Sequence, residues 1–109
     1  MEVRGTNLKM TRGDSEYLLI FCPKRPFTDG DEILFTVKKT VYTREIELQK
    51  KADILEDGKA YIEILPEDTS CLDYGIYKYD VQLTTAEGVV TTIVKPSGFE
   101  LKEEVTWNG

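Results

Sequence analysis

Residues 76–83 alternate without a break: Tyr77, Tyr79, Val81 and Leu83 point one way, Ile76, Lys78, Asp80 and Gln82 the other. A period of two belongs to an extended strand with one face buried. On a helix the same side chains would scatter around the axis. Shorter runs repeat the pattern. Ile33, Phe35 and Val37 alternate with Glu32, Leu34, Thr36 and Lys38, and Ala60, Ile62 and Ile64 with Tyr61 and Glu63. Ile46 and Leu48 alternate within 45–49, and Phe99 and Leu101 within 99–102. Residues 17–21 and 89–94 are apolar or Thr-rich on both sides, which predicts strands covered on both faces or central in a sheet. Residues 6–11 add a short first strand.

Turn signals separate these runs: Arg12-Gly13-Asp14, Thr28 to Asp31, Asp57-Gly58, Pro66-Glu67-Asp68, Glu87-Gly88 and Pro96-Ser97-Gly98. Each carries Gly, Pro or Asp, which accept or pre-set turn dihedrals. Composition agrees: 8 Val, 8 Ile, 12 Thr and 11 aromatics stand against 3 Ala, a β-favouring bias. The expectation is an all-β chain, a single domain over 1–109. Its architecture would be an immunoglobulin-like β-sandwich of seven or eight mostly antiparallel strands. Between Arg44 and Glu56 we read a strand to Gln49, then a loop or bulge through Asp57-Gly58, with a turn of helix at 50–56 as the alternative. Thr106 to Gly109 are expected to fray.

The chain has no histidine, which removes imidazole-based catalysis, metal ligation and pH switching. Its net charge of −6 disfavours nucleic acid and anionic membrane surfaces as partners. No apolar run approaches the roughly 18 residues of a membrane span. Met1 to Gly5 lack the apolar region of a secretory signal. Cys22 and Cys71 read as reduced thiols at or near the core, an intersheet bridge being the alternative.

Candidate sites are few. Asp73-Tyr74-Gly75-Ile76-Tyr77 has the Asp-x-Gly-x-Tyr spacing of a tyrosine corner, in which the hydroxyl bonds back to upstream backbone. Gly75 and Tyr77 are therefore assigned structural roles. Arg12-Gly13-Asp14 matches an integrin-binding tripeptide and reads as a polar turn between the first two strands. The acidic groups around Asp29, Asp31 and Glu32, around Asp53, Glu56 and Asp57, and at Glu67-Asp68 lack calcium-loop spacing and read as solvated loops. Lys38-Lys39 and Lys50-Lys51 read as solvated strand ends. Every glycine is isolated, so no phosphate loop is present. No cofactor, metal or catalytic residue is assigned, and the chain is not expected to be an enzyme. Tyr61, Ile76 and Leu34 face outward as candidate contacts. Trp107 reads as an end cap or a partner contact.

The order of these elements resembles a known family. Arg4-Gly5-Thr6 opens the chain, Gly13-Asp14-Ser15 precedes an apolar strand, and Pro66-Glu67-Asp68-Thr69 leads into Leu72 to Leu83. Gly98-Phe99-Glu100-Leu101 and Val105-Thr106 close it. The pattern is similar to the immunoglobulin-like N-terminal domain of phage upper baseplate proteins and to related small prophage-encoded structural proteins. That resemblance implies a non-enzymatic virion or baseplate component. Its partners would be other phage tail or baseplate proteins, or further copies of itself. Its place would be the bacterial cytoplasm during assembly, or the virion. The alternative is a carbohydrate-binding-like sandwich with Tyr42, Tyr61 and Tyr74 as a stacking platform.

Overall fold

A computed structural model of the chain describes residues 1–104. Trp107 and the 106–109 segment lie outside the described residues. The described residues form two β-sheets and one short helix. The strands are β1 (Glu2–Arg4), β2 (Asn7–Thr11), β3 (Glu16–Phe21), β4 (Glu32–Lys38) and β5 (Leu48–Lys51). They continue as β6 (Ile54–Glu56), β7 (Lys59–Ile64), helix α1 (Pro66–Ser70), β8 (Gly75–Thr84) and β9 (Val90–Lys102). The large sheet has the order β1-β2-β9-β8-β4-β5, the small one β3-β7-β6. All pairings are antiparallel except β2 with β9, which run parallel. The chain is an all-β sandwich.

The alternating faces meet between the layers. Ile33, Phe35, Val37, Tyr77, Tyr79, Val81 and Leu83 are buried from the large sheet, and Leu18, Ile20, Ala60, Ile62 and Ile64 from the small one. Phe35, Tyr79 and Phe99 pack as a ring cluster, with centroids 5.3 Å (Phe35–Tyr79), 5.8 Å (Phe35–Phe99) and 6.5 Å (Tyr79–Phe99) apart. The tilted and edge-on arrangements suit the ring quadrupoles.

Several expectations are corrected, each for a physical reason. There are nine strands among the described residues, not seven or eight, because β1 and β6 are three-residue strands too short to show a period. Residues 17–21 are not covered on both faces: Tyr17, Leu19 and Phe21 are exposed while Leu18 and Ile20 are buried. Val89 and Val90 are exposed too. Pro96-Ser97-Gly98 is not a turn; β9 runs through it. The missing Pro96 donor is harmless there because β2 joins β9 only over Phe99–Lys102. Neighbouring side chains satisfy what remains: the Gly98 amide donates to Asn7 Oδ1 at 2.8 Å, and Ser97 Oγ lies 2.7 Å from Thr6 Oγ1.

The 45–49 strand starts later, at Leu48, and Ile46 is exposed. The loop expected after Gln49 is instead a change of sheet. The Ala52 amide donates to the Ile33 carbonyl in the large sheet, and the next amide, of Asp53, to Tyr61 in the small one. β6 then turns into β7 at Asp57-Gly58, both at positive φ (52° and 74°), as a two-residue hairpin of this hand requires. Pro66-Glu67-Asp68 starts a helix rather than a simple turn. Proline suits the first helical position, and the Asp68 carboxylate accepts the Leu65 amide at 2.7 Å. Cys22 is half-buried and Cys71 exposed, and both are free thiols.

Two carboxylates read as solvated are not. Asp68 is half-buried and pairs with Lys50 Nζ at 2.9 Å, which also removes Lys50 from the solvated strand ends. The other is Asp31. It is buried, accepting two hydrogen bonds from the Arg25 guanidinium (2.9 and 3.2 Å) and one from the Thr28 amide (2.9 Å). The Arg25 bonds come first in holding its carboxyl below the usual range.

Tyr79 does what no motif announced. Its ring sits in the core and its hydroxyl donates to the Thr6 carbonyl, tying β8 to the turn between β1 and β2. Burial pushes its phenol from the ordinary 10 up to about 12. The unfolded chain therefore loses this proton first. The Tyr79 contribution to stability is complete below about pH 10 and is lost as pH rises to about 12. Tyr79→Phe should remove that part of the alkaline slope and cost about 1–2 kcal/mol at neutral pH, through the lost bond to backbone. Urea titrations at several pH values check both; an unchanged alkaline slope refutes the assignment.

Candidate interaction surface

Pleating sends every second side chain of the small sheet away from the core. In register across its three strands, Ile54 on β6 faces Tyr61 on β7, and Tyr61 faces Leu19 on β3. Tyr17 and Phe21 flank Leu19 on the same side. Tyr17, Leu19, Phe21 and Ile54 are 61%, 44%, 55% and 46% exposed. Five apolar or aromatic side chains thus share one solvent-facing sheet. Polar relief is limited: Glu63 accepts the Tyr17 hydroxyl at 2.8 Å, and Lys59 stands opposite Phe21. Contiguous apolar patches of this kind mark contact surfaces more often than isolated exposed residues do.

Beside this face, the large sheet runs on past β3, and a groove opens along the β3 edge. Its volume is about 520 Å³. Core-facing Leu8, Tyr79, Val81 and Val94 line its floor, and Met1 and Val3 its far side. Glu16, at one end, is paired with the Met1 ammonium at 2.9 Å.

Of the residues singled out in the sequence, Tyr61 belongs to this surface. Its position opposite two apolar neighbours was hidden, because pairing across strands is not written in one strand. Ile76 is 69% exposed on the outer face of the large sheet, away from the patch. Leu34 is half-buried in that sheet, opposite Gln82 and well away from Ile76. Tyr77 is buried, and its hydroxyl donates to the Asp73 carbonyl at 2.7 Å, while Gly75 sits at φ +138°. That geometry pins the start of β8.

Arg12-Gly13-Asp14 does form the turn between β2 and β3, but its arginine is committed. The Arg12 guanidinium donates to Glu104 (2.7 and 3.2 Å) and to the Leu72 carbonyl (3.0 Å), and lies 4.2 Å from the Tyr74 ring centroid. The Gly13 amide donates to Thr69 Oγ1 at 2.8 Å. The tripeptide is a tie between the sheet ends and the helix.

The tyrosines considered as a platform are not brought together. Tyr42 lies in the β4–β5 loop, which borders a small depression of about 100 Å³ with Lys38, Lys78 and Asp80 on the outer face of the large sheet. Tyr61 is on the opposite outer face, and the Tyr74 ring is covered by Arg12. Burial raises the Asp80 carboxyl and Lys38 partly offsets this. No group of three or more metal-ligating side chains converges among the described residues. No helix among them is long and apolar enough to cross a membrane. No family model, curated protein or solved structure matches the chain.

Proposed function

We propose that this chain is a non-enzymatic structural or accessory module that works by protein–protein contact, in a phage tail or baseplate assembly of the kind its resemblance implies. The observation that carries the reading is the Ile54–Tyr61–Leu19 row, exposed at Ile54 and Leu19 and half-buried at Tyr61, with exposed Tyr17 and Phe21 beside it. Burying such side chains contributes about 25 cal/mol per Å² of apolar surface, and aromatic residues are favoured anchors at interfaces. The Tyr77 hydroxyl bond to Asp73 and the parallel β2–β9 pairing support an immunoglobulin-like form of the sandwich.

The test is co-expression with the proteins that neighbouring genes encode, followed by size-exclusion chromatography. The chain should co-elute with one of them. Ile54→Lys combined with Tyr61→Lys should abolish co-elution while leaving the melting midpoint within a few degrees, since exposed substitutions change stability by only about 0.5 kcal/mol. Co-elution indifferent to both lysines, or no co-elution at all, defeats the proposal.

A further inference from the structure

An unpaired sheet edge invites another strand, and proteins usually blunt it. In this chain four edges are blunted. β1 and β6 are three residues long, and β1 carries Glu2 and Arg4. β5 carries Lys50 and Lys51. The free stretch of β9 contains Lys95 and Pro96 and a register shift opposite Val81 and Gln82. β3 has one charge, Glu16 at its first position, and no other such device. Its next five residues are Tyr-Leu-Leu-Ile-Phe, without lysine, proline or bulge, and among the described residues only β7 pairs with it. This bare edge is the one that borders the apolar groove.

We propose that the groove receives an extended, uncharged segment of another polypeptide, which adds to the small sheet along β3. Alternate apolar side chains of that segment would rest on Leu8, Val81 and Val94. This rests on the reading of the chain as a contact module and names the kind of partner.

Three features select that occupant. β3 is about 20 Å long at strand rise, room for a segment of five or six residues. Among the described residues Glu16 is the only carboxylate lining the groove, and it pairs with the Met1 ammonium at 2.9 Å, so a charged segment finds no counter-ion. A second copy pairing β3 to β3 does not fit. Opposed residues of an antiparallel pair share a face, so both large sheets would lie on the same side. The floor of one groove would then occupy the layer needed by the other copy. A lone strand has no second layer and escapes that collision.

The experiment titrates the ¹⁵N-labelled full chain with a capped peptide alternating threonine and valine, and with a second peptide carrying lysine at the valine positions. Saturable shifts should appear at Glu16–Phe21, Leu8 and Val94, with slowed exchange of β3 amides. The lysine peptide should leave the spectrum unchanged. Leu19→Lys should weaken binding about tenfold without lowering the melting midpoint, and Ile54→Lys should leave binding intact. No saturable shift, or shifts outside the groove, overturns the proposal. So does protection, in the free chain, of the β3 amides that do not bond to β7, whether lost on dilution (a second copy) or on removal of residues 105–109. Peptide binding without co-elution of tail proteins would remove the assembly reading alone; co-elution without peptide binding would remove only the groove.

Discussion

Phe35→Ala should lower stability by about 3–5 kcal/mol, the usual cost of emptying a ring from a core. Phe35 is fully buried at the centre of the ring cluster, with Tyr79 on one side and Phe99 on another. Two losses add there. Apolar area returns to water when the protein is compared with its unfolded state, and two ring contacts worth about 0.5–1.5 kcal/mol each disappear. The site has little means of collapsing, because both layers are held at strand spacing by backbone ladders. β4 is bonded on one side to β8 and on the other to β5. At roughly 4–8 °C per kcal/mol the melting midpoint should fall by about 12–40 °C. Thermal and urea unfolding check this, with Leu19→Ala as the exposed comparison, expected within about 0.5 kcal/mol of the parent. A loss below about 1.5 kcal/mol would remove Phe35 from the centre of the core.

Gly58→Ala should cost about 2–5 kcal/mol, although it adds one methyl to a surface turn. Part of the cost is conformational. Gly58 sits at φ +74°, where a Cβ is disfavoured by about 1–2 kcal/mol. The rest is contact. A Cβ built there would stand 2.6 Å from Pro26 Cβ, and a proline ring cannot swing aside. Pro26 is held in turn, because the next residue, Phe27, is buried and donates its amide to the Gly58 carbonyl at 3.0 Å. Overpacking of this kind costs about 1–3 kcal/mol. Gly88→Ala separates the two parts, since Gly88 has φ +86° with nothing within 4 Å of its Cβ position. It should lose only the conformational share, about 1–2 kcal/mol. Equal losses at both positions would mean that the Pro26 segment yields freely.

The strands with a strict alternation were legible at once. Residues 32–38 form β4 to the residue, and 76–83 lie inside β8. Their side chains report burial through local pleating alone. Tyr17 to Phe21 misled because every residue is apolar: the pattern carries no record of which face is covered, and in a two-layer sandwich nothing packs on the outer face of the small sheet. Ala52-Asp53 misled because a chain crossing from one sheet to the other keeps extended dihedrals while its partners change. The exposed apolar patch was legible only at Tyr61. Its neighbours Leu19 and Ile54 come from strands whose register is set by turns and by the opposite layer, not by their own spacing.

What the amino-acid order determined unaided is the set of local properties: extended segments, their inward faces, and the Asp57-Gly58 turn. These follow from sterics and from side chains within a few residues of one another. Tertiary structure alone decided which edges are covered, where the two layers fail to overlap, and that Arg12, Asp31 and Tyr79 find their partners. Those outcomes depend on groups distant in the chain meeting in space. The bare edge of β3 is one of them: its residues are apolar in any setting, and only the offset of a three-stranded sheet over a six-stranded one leaves them beside an open groove.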